Sequence, residues 1–311
     1  MSGVRGGVDA ACNRRRELPN DSREDAMSLD RCYLTVLRYP PDLTERQRTL
    51  ALSHGLAVDD FSASMLQKLA PPAVIKICTS DAAAEAMTRL QELGIDAAAI
   101  TREQIERFSA RTEAKRLLPA IGAPRAMYAI EPLRPRLATV SSIVMDDVAM
   151  IVFGRIKLIK VSVVVAEPNL SDGETLLRNT FDAASDAPSV DPPKVMTSRA
   201  AVDAHSFVID LYTRRGECVR IDSDKCGFDF LGDERGLSDR ENAVKAVERF
   251  RGEATRAVLD VGFEDFRPPP GAVVEQIRGT GEGGSMRTNR PAFNFYSAWR
   301  VVVYAMMRKR A

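Results

Sequence analysis

Four places in this chain carry residue types and spacings that could do chemistry. Gly279, Gly281 and Gly284 spell GxGxxG, the spacing of a dinucleotide loop. That chemistry needs a strand before the glycines and a helix after them whose N-terminus receives the pyrophosphate. Val273–Ile277 can supply the strand, but Ser285–Pro291 is a poor helix and no acidic residue after Glu282 can meet a ribose. No cofactor is expected there. Asp222, Asp224, Gly227 and Asp233 imitate part of a calcium loop. Cys226 stands where an oxygen donor is needed, Asp233 stands where a bidentate glutamate is needed, and no helix leads in. Asp146 and Asp147 could be offered as an acid–base pair, yet neighbours on a strand point to opposite faces. His205, near Asp203, Ser206 and Asp210, lacks a nucleophile elbow or a distant orienting motif.

The imidazoles are His54 and His205 alone, so neither a multi-histidine metal centre nor HExxH is available. His54 falls at the end of an expected helix and reads as a surface residue. Cysteines at 12, 32, 78, 218 and 226 are odd in number and widely spaced, which argues against a disulfide framework. Cys32 and Cys78 sit in apolar strand-like runs and read as small core residues. No catalytic, cofactor or metal residue is assigned, and a non-enzyme is expected.

The elements that would position any site centre on VAMIVFGRIKLIKVSVVV, residues 148–165. Arg155, Lys157 and Lys160 interrupt it, and each would cost roughly 3 kcal/mol in hydrocarbon, so it is no membrane span. Ile156, Leu158, Val161 and Val163 fit a strand with Arg155, Lys157 and Ser162 outward. Ile159 breaks the alternation, as at a bulge, and Gly154 marks a turn or bend between two strands. A hairpin follows at 207–222: Phe207, Ile209 and Leu211 form one face, Arg215-Gly216 the turn, and Val219 and Ile221 resume the pattern. Ser238 and Glu241 form a capping box for a helix carrying Val244, Val247, Phe250 and Ala254, which can cover the strands.

In chain order, residues 1–28 read as a disordered arm, and no signal peptide is read there because Arg14-Arg15-Arg16 precede no apolar core. Tyr33, Thr35 and Leu37 mark a strand ended by Pro40-Pro41, and Thr44 with Gln47 caps a helix towards His54. Phe61, Met65 and Leu69 suggest a short helical face, and 73–78 a strand. A helix is expected over 81–93, with Ala84, Met87 and Leu90 on one face and Gly94 as C-cap. A strand over 95–100 follows, then a helix capped by Thr101 and Gln104. These elements place a small α/β domain at 29–118 and a β-rich domain at 119–266 with a long insertion at 167–204. That insertion holds a short helix near Glu174–Phe181, and Leu259–Phe266 adds an edge strand. Residues 267–291 read as a flexible linker and 292–311 as an apolar C-terminal helix.

The expected fold is α+β. The first domain resembles a ferredoxin-like α/β sandwich. The β segments of 124–258 and their closing helix resemble a pleckstrin-homology-like barrel, where adaptor, lipid-binding and peptide-binding roles are common. Both resemblances are of architecture, and architecture does not choose a function.

Forty-four basic against 43 acidic residues leave no global field to draw nucleic acid or anionic lipid, and 45% apolar with 28% charged residues is ordinary for a soluble protein; with no signal peptide read, a cytoplasmic location is expected. Local patches remain. Arg155, Lys157 and Lys160 could form a basic rim. Phe295, Tyr296, Trp299 and Val303 concentrate apolar surface in a tail too short to span a bilayer comfortably. That tail could pack within the chain, self-associate or bind a protein partner, or touch a membrane surface aided by Arg308, Lys309 and Arg310. The expected function is a non-catalytic binding or scaffold protein mediating protein–protein association. An enzyme with an inter-domain site and a nucleic-acid-associated regulator are the alternatives.

Overall fold

The computed structural model describes residues 31–166, 195–272, 276–280 and 284–310, with side chains left out over 160–204 and 273–286. The expected arm at 1–28 and the short helix near 174–181 lie outside the described residues. The fold is mixed α+β with two sheet regions and several helices.

The first region opens with β1 (Arg31–Arg38), then α1 (Glu45–Leu56) and α2 (Asp60–Leu66). It continues through β2 (Ala73–Thr79), α3 (Ser80–Glu92), β3 (Asp96–Thr101) and α4 (Arg102–Glu106). Capping chemistry sets the helix starts. Thr44 and Gln47 form the reciprocal box at α1, and Thr101 and Gln104 repeat it at α4. Gly94, at φ +77°, ends α3 in a conformation that side chains rarely adopt. Strands run in the order β2-β1-β3, both neighbours antiparallel to β1. Leu34 and Val36 of β1 pack with Leu52 of α1 and Leu90 of α3, while Tyr33 and Leu37 face the other way. The short helix face expected to bury Phe61 and Met65 does not: they are 77% and 53% exposed.

The second region is built from β4 (Thr112–Pro119), β5 (Met127–Pro132), β6 (Ser142–Val144), β7 (Val148–Ala166), β8 (Val195–Thr213) and β9 (Cys218–Asp222). After α5 (Asp239–Glu253) come β10 (Val258–Asp260), β11 (Gln276–Thr280), β12 (Gly284–Thr288) and α6 (Arg290–Arg310). The sheet order is β11-β12-β7-β8-β9-β4-β5-β6, with β10 parallel to β7. The β4–β9 pairing is parallel and joins segments about a hundred residues apart.

Several expectations need correction here. Val148–Ala166 is one continuous strand, so Gly154 is not a turn. A Cβ there would lie 2.4 Å from Phe293 Cε2 and 2.9 Å from Phe263 Cδ1, so glycine makes room for two packed rings. The irregularity expected at Ile159 is present as a register shift between Leu158 and Ile159. Residues 195–204, expected in a loop, belong to β8 and pair with β7. The glycine-rich stretch expected as a linker carries the β11–β12 hairpin. The edge strand expected over 259–266 is only the short β10, followed by a 3-10 turn at Gly262–Asp265. On α5 the buried face is Ala243, Ala246, Val247 and Phe250, and Val244 is 40% exposed.

Burial gives the layer order. The face of the large sheet with Ile151, Ile209, Leu211 and Val219 packs on α5. The opposite face, with Met150, Val152, Val208 and Tyr212, packs on α6, and α6 in turn packs on Tyr33, Val74 and Ile100 of the small sheet. The C-terminal helix is therefore a buried middle layer between two sheets. Trp299, with no exposed surface, donates its indole N–H to Thr35 Oγ1 at 3.1 Å.

Candidate functional site

The α6-facing side of the large sheet carries polar residues as well as apolar ones. Strand alternation puts Asp210 and Tyr212 of β8 and Arg220 and Asp222 of β9 on that side, and all four are buried. Arg220 grips Asp210 with two parallel bonds, Nε to Oδ1 and Nη2 to Oδ2, each 2.7 Å. From α6, Ser297 donates to Asp210 Oδ2 at 2.6 Å, and the Tyr212 hydroxyl lies 2.9 Å from Ser297 Oγ. Arg290 of α6 bonds Asp222 Oδ2 at 2.6 Å. Burial pushes the Asp210 carboxyl up, but the Arg220 and Arg111 guanidinia and the Ser297 hydroxyl outweigh it and hold the group below the usual carboxylate range. The Cys218 thiol, beside them, is pushed well up by burial and by Asp210, and Cys226 is pushed up to about 12 by burial and Asp222. Both stay protonated and are poor nucleophiles. This seam seats α6 and leaves its main charged groups already paired.

The surface offers a different kind of site at the C-terminal end of α6. Val301, Tyr304, Ala305, Arg308 and Lys309 share one helical face there and line a groove of about 390 Å³. Its other wall is the tight β8–β9 turn, Thr213 to Gly216, closed by Gly216 N donating to Thr213 O at 3.0 Å. Gly216 has φ +87°, and a Cβ there would lie 3.1 Å from Phe108 Cε1, so the turn sits directly on that ring. Phe108 is fixed in turn by an edge-on contact with Tyr212, centroids 6.4 Å apart.

The groove has an apolar floor of Phe108, Ala149, Val301, Tyr304 and Ala305, and four cations on its rim: Arg214, Arg215, Arg308 and Lys309. None of the four has an ion-pair partner among the described residues, and no acid lines the groove. Asp147 and Glu217 border a separate cavity on the far side of the turn, with which Arg215 is shared. Arg310 turns away to Asp96 of β3. The cations outweigh the partial negative charge of the helix C-terminus.

No family model, curated protein or solved structure matches this chain.

The residues singled out from sequence are not brought together. Tyr296, Trp299 and Val303 are buried in the chain's own interior, and half-buried Phe295 packs at a tilt against Tyr33 with centroids 4.9 Å apart. Arg155 is paired with Glu264 at 3.0 Å. Lys157 lies opposite His205 in the β7–β8 register, and its main-chain N–H donates to Asn289 Oδ1 at 2.7 Å. The side chain of Lys160 lies outside the described residues.

Of the rejected motifs, Gly279 and Gly284 lie in an antiparallel hairpin and not at a strand-to-helix turn. Asp222 is engaged by Arg290 and Lys225, and no cluster of metal-ligating side chains occurs among the described residues. Asp146 faces Arg125 at 3.7 Å, and His54 and His205 are exposed. Among the described residues no helix is long and apolar enough to cross a membrane. The sequence points to Arg308 and Lys309 as a basic end of the tail and to Arg215 only as a turn residue, with nothing assigned to Arg214. The available signal was an arginine pair at the tip of a hairpin, Arg214-Arg215 before Gly216.

Proposed function

We propose that this chain is a non-catalytic binding protein whose ligand is an amphipathic anion held in the groove at the end of α6. The carrying observation is the pairing of an apolar floor with four cations that have no ion-pair partner, and no lining acid, among the described residues. The apolar body of the ligand covers Phe108, Val301 and Tyr304, and its acid group sits among Arg214, Arg215, Arg308 and Lys309. The protonated thiols and the self-paired Asp210–Arg220 seam support binding over catalysis. A cytoplasmic setting fits the free thiols of Cys32, Cys78, Cys218 and Cys226. The ferredoxin-like and pleckstrin-homology-like resemblances add little to this reading. The first sheet has three strands, and the second runs from β11 to β6 without its ends pairing among the described residues.

The test is calorimetric titration of the full chain with dodecanoate, with dodecanol as the neutral control. Dodecanoate is expected to bind, and the Arg215→Ala/Arg308→Ala variant to bind about tenfold more weakly, the loss of one or two charge-assisted contacts. Equal affinity for dodecanol, or an unchanged variant, rejects the proposal. Binding to phosphatidylglycerol vesicles without binding to dodecanoate moves the same chemistry to a membrane surface.

Protein–protein association is a second reading, favoured by the edge of β8. That strand pairs with β9 over Val208–Tyr212, while its edge over 195–206 has no strand partner among the described residues. Sedimentation of the full chain checks it: a monomer at all concentrations removes self-association.

A further inference from the structure

A second cavity, of about 220 Å³, lies at the opposite end of α6, where β4, β9 and the segment after β5 meet its first turns. Three arginines line it, Arg111, Arg134 and Arg220, together with Glu113 and Asn294. The Arg111 and Arg220 side chains are only 10% and 4% exposed. Asp210 is the one buried carboxylate against them, so the two guanidinia carry one positive charge more than it balances. Glu113 has its own partner, Lys225, at 3.5 Å. Arg134 is exposed and has no ion-pair partner among the described residues.

Hydrogen bonding points the same way. Arg111 Nε is buried without an acceptor, its 3.5 Å approach to Asp210 being an ion pair without a hydrogen bond. Glu113 Oε2 is buried without a donor. Such buried groups nearly always have partners, and these two sit two residues apart where the chain enters β4, Arg111 just before the strand and Glu113 within it. Asn294 accepts from both arginines, through Oδ1 from Arg220 at 2.5 Å and through its main-chain oxygen from Arg111 at 2.7 Å. Its amide Nδ2 makes no hydrogen bond among the described residues. The site holds surplus positive charge, an orphaned guanidinium N–H on Arg111 and an orphaned carboxylate oxygen on Glu113.

We propose that this cavity binds a short carboxylate bearing a hydrogen-bond donor on the neighbouring carbon, a 2-hydroxy or 2-amino acid. The ligand carboxylate takes up the N–H groups of Arg111 and Arg134 and neutralises the surplus charge. The hydroxyl or ammonium group donates to Glu113 Oε2. A plain carboxylate satisfies only half of this set. The site shares no residue with the groove at the other end of α6, so either proposal can fail alone.

The experiment is calorimetric titration of the full chain with lactate, alanine, acetate and inorganic phosphate as probes. Lactate or alanine is expected to bind at least about tenfold more tightly than acetate, the worth of one hydrogen bond to a charged group. Arg134→Ala is expected to weaken that binding about tenfold with an unchanged thermal midpoint for the free protein, because Arg134 is exposed and unpaired. Glu113→Gln should narrow the gap between alanine and acetate, and Arg215→Ala should change nothing. Absence of binding by all four probes up to about 10 mM overturns the proposal. Acetate matching lactate and alanine, phosphate binding more tightly than either, or an unaffected Arg134→Ala overturns it equally.

Discussion

The buried seam makes a quantitative demand on Asp210. Its carboxylate accepts two bonds of 2.7 Å from Arg220 and one of 2.6 Å from Ser297, with Arg111 Nε at 3.5 Å. Asp210→Ala removes the acceptor and leaves a guanidinium that is 4% exposed with no counter-charge. Breaking a buried pair from one side costs about 3–5 kcal/mol, because the surviving charge keeps its desolvation penalty. The loss should appear in urea unfolding as a lower midpoint with an unchanged slope. Removing both charges tests the cause. In Asp210→Leu/Arg220→Met no orphaned guanidinium remains at position 220, and part of the lost stability is expected to return, the rest staying with Arg111, which has also lost its counter-charge.

The same carboxylate sets an acid limit. Its folded pKa lies below its unfolded value, so its stabilisation is complete above the unfolded value and disappears as pH falls through the folded one. Asp210→Ala should accordingly flatten the acid limb of the stability curve below pH ~4. A loss under about 1 kcal/mol for the single variant, or a double variant no more stable than the single, refutes this account of the seam.

Two other perturbations have defined outcomes. Gly154→Ala drives a methyl group to 2.4 Å from the ring of Phe293, which has no exposed surface and is wedged against Phe263. An overpacking loss of about 1–3 kcal/mol is expected in thermal unfolding, and partial recovery when Phe293→Leu is added; a neutral Gly154→Ala contradicts the packing. Cys32 and Cys78 are direct partners across β1 and β2, and both are free. Treatment with diamide should join them within one chain, faster at higher pH because burial raises the Cys78 thiol pKa. Peptide mass mapping that finds both still open to alkylation after oxidation rules this out.

What could be read from the sequence was local. Thr44 with Gln47 and Thr101 with Gln104 announce helix starts because a cap needs only residues three apart. The β8–β9 turn was legible from Arg215-Gly216 for the same reason. The burial of α6 was legible only as one of several outcomes for an apolar tail. A run such as 292–311 looks the same whether its apolar face meets a partner protein or the chain's own sheets, and only tertiary structure places Trp299 against Thr35, 264 residues away in sequence.

The seam was missed for a related reason. Alternation in FVIDLYT puts Phe207, Ile209 and Leu211 on one face, and a strand with one wet face would leave Asp210 in water. The large sheet is instead covered on both sides, by α5 and by α6, so the expected wet face is an interior and its charges must pair. The arginine cavity lies a step further from any local pattern. Arg111, Arg134 and Arg220 meet because β4 lies parallel to β9, a contact that closes a loop of about a hundred residues. Parallel neighbours need a long crossover, so the residues they bring together are necessarily distant in sequence. A site assembled across such a pairing leaves no motif: alternation in Val219, Arg220 and Ile221 assigns the arginine to a wet face, and only the cover of α6 makes that face an interior.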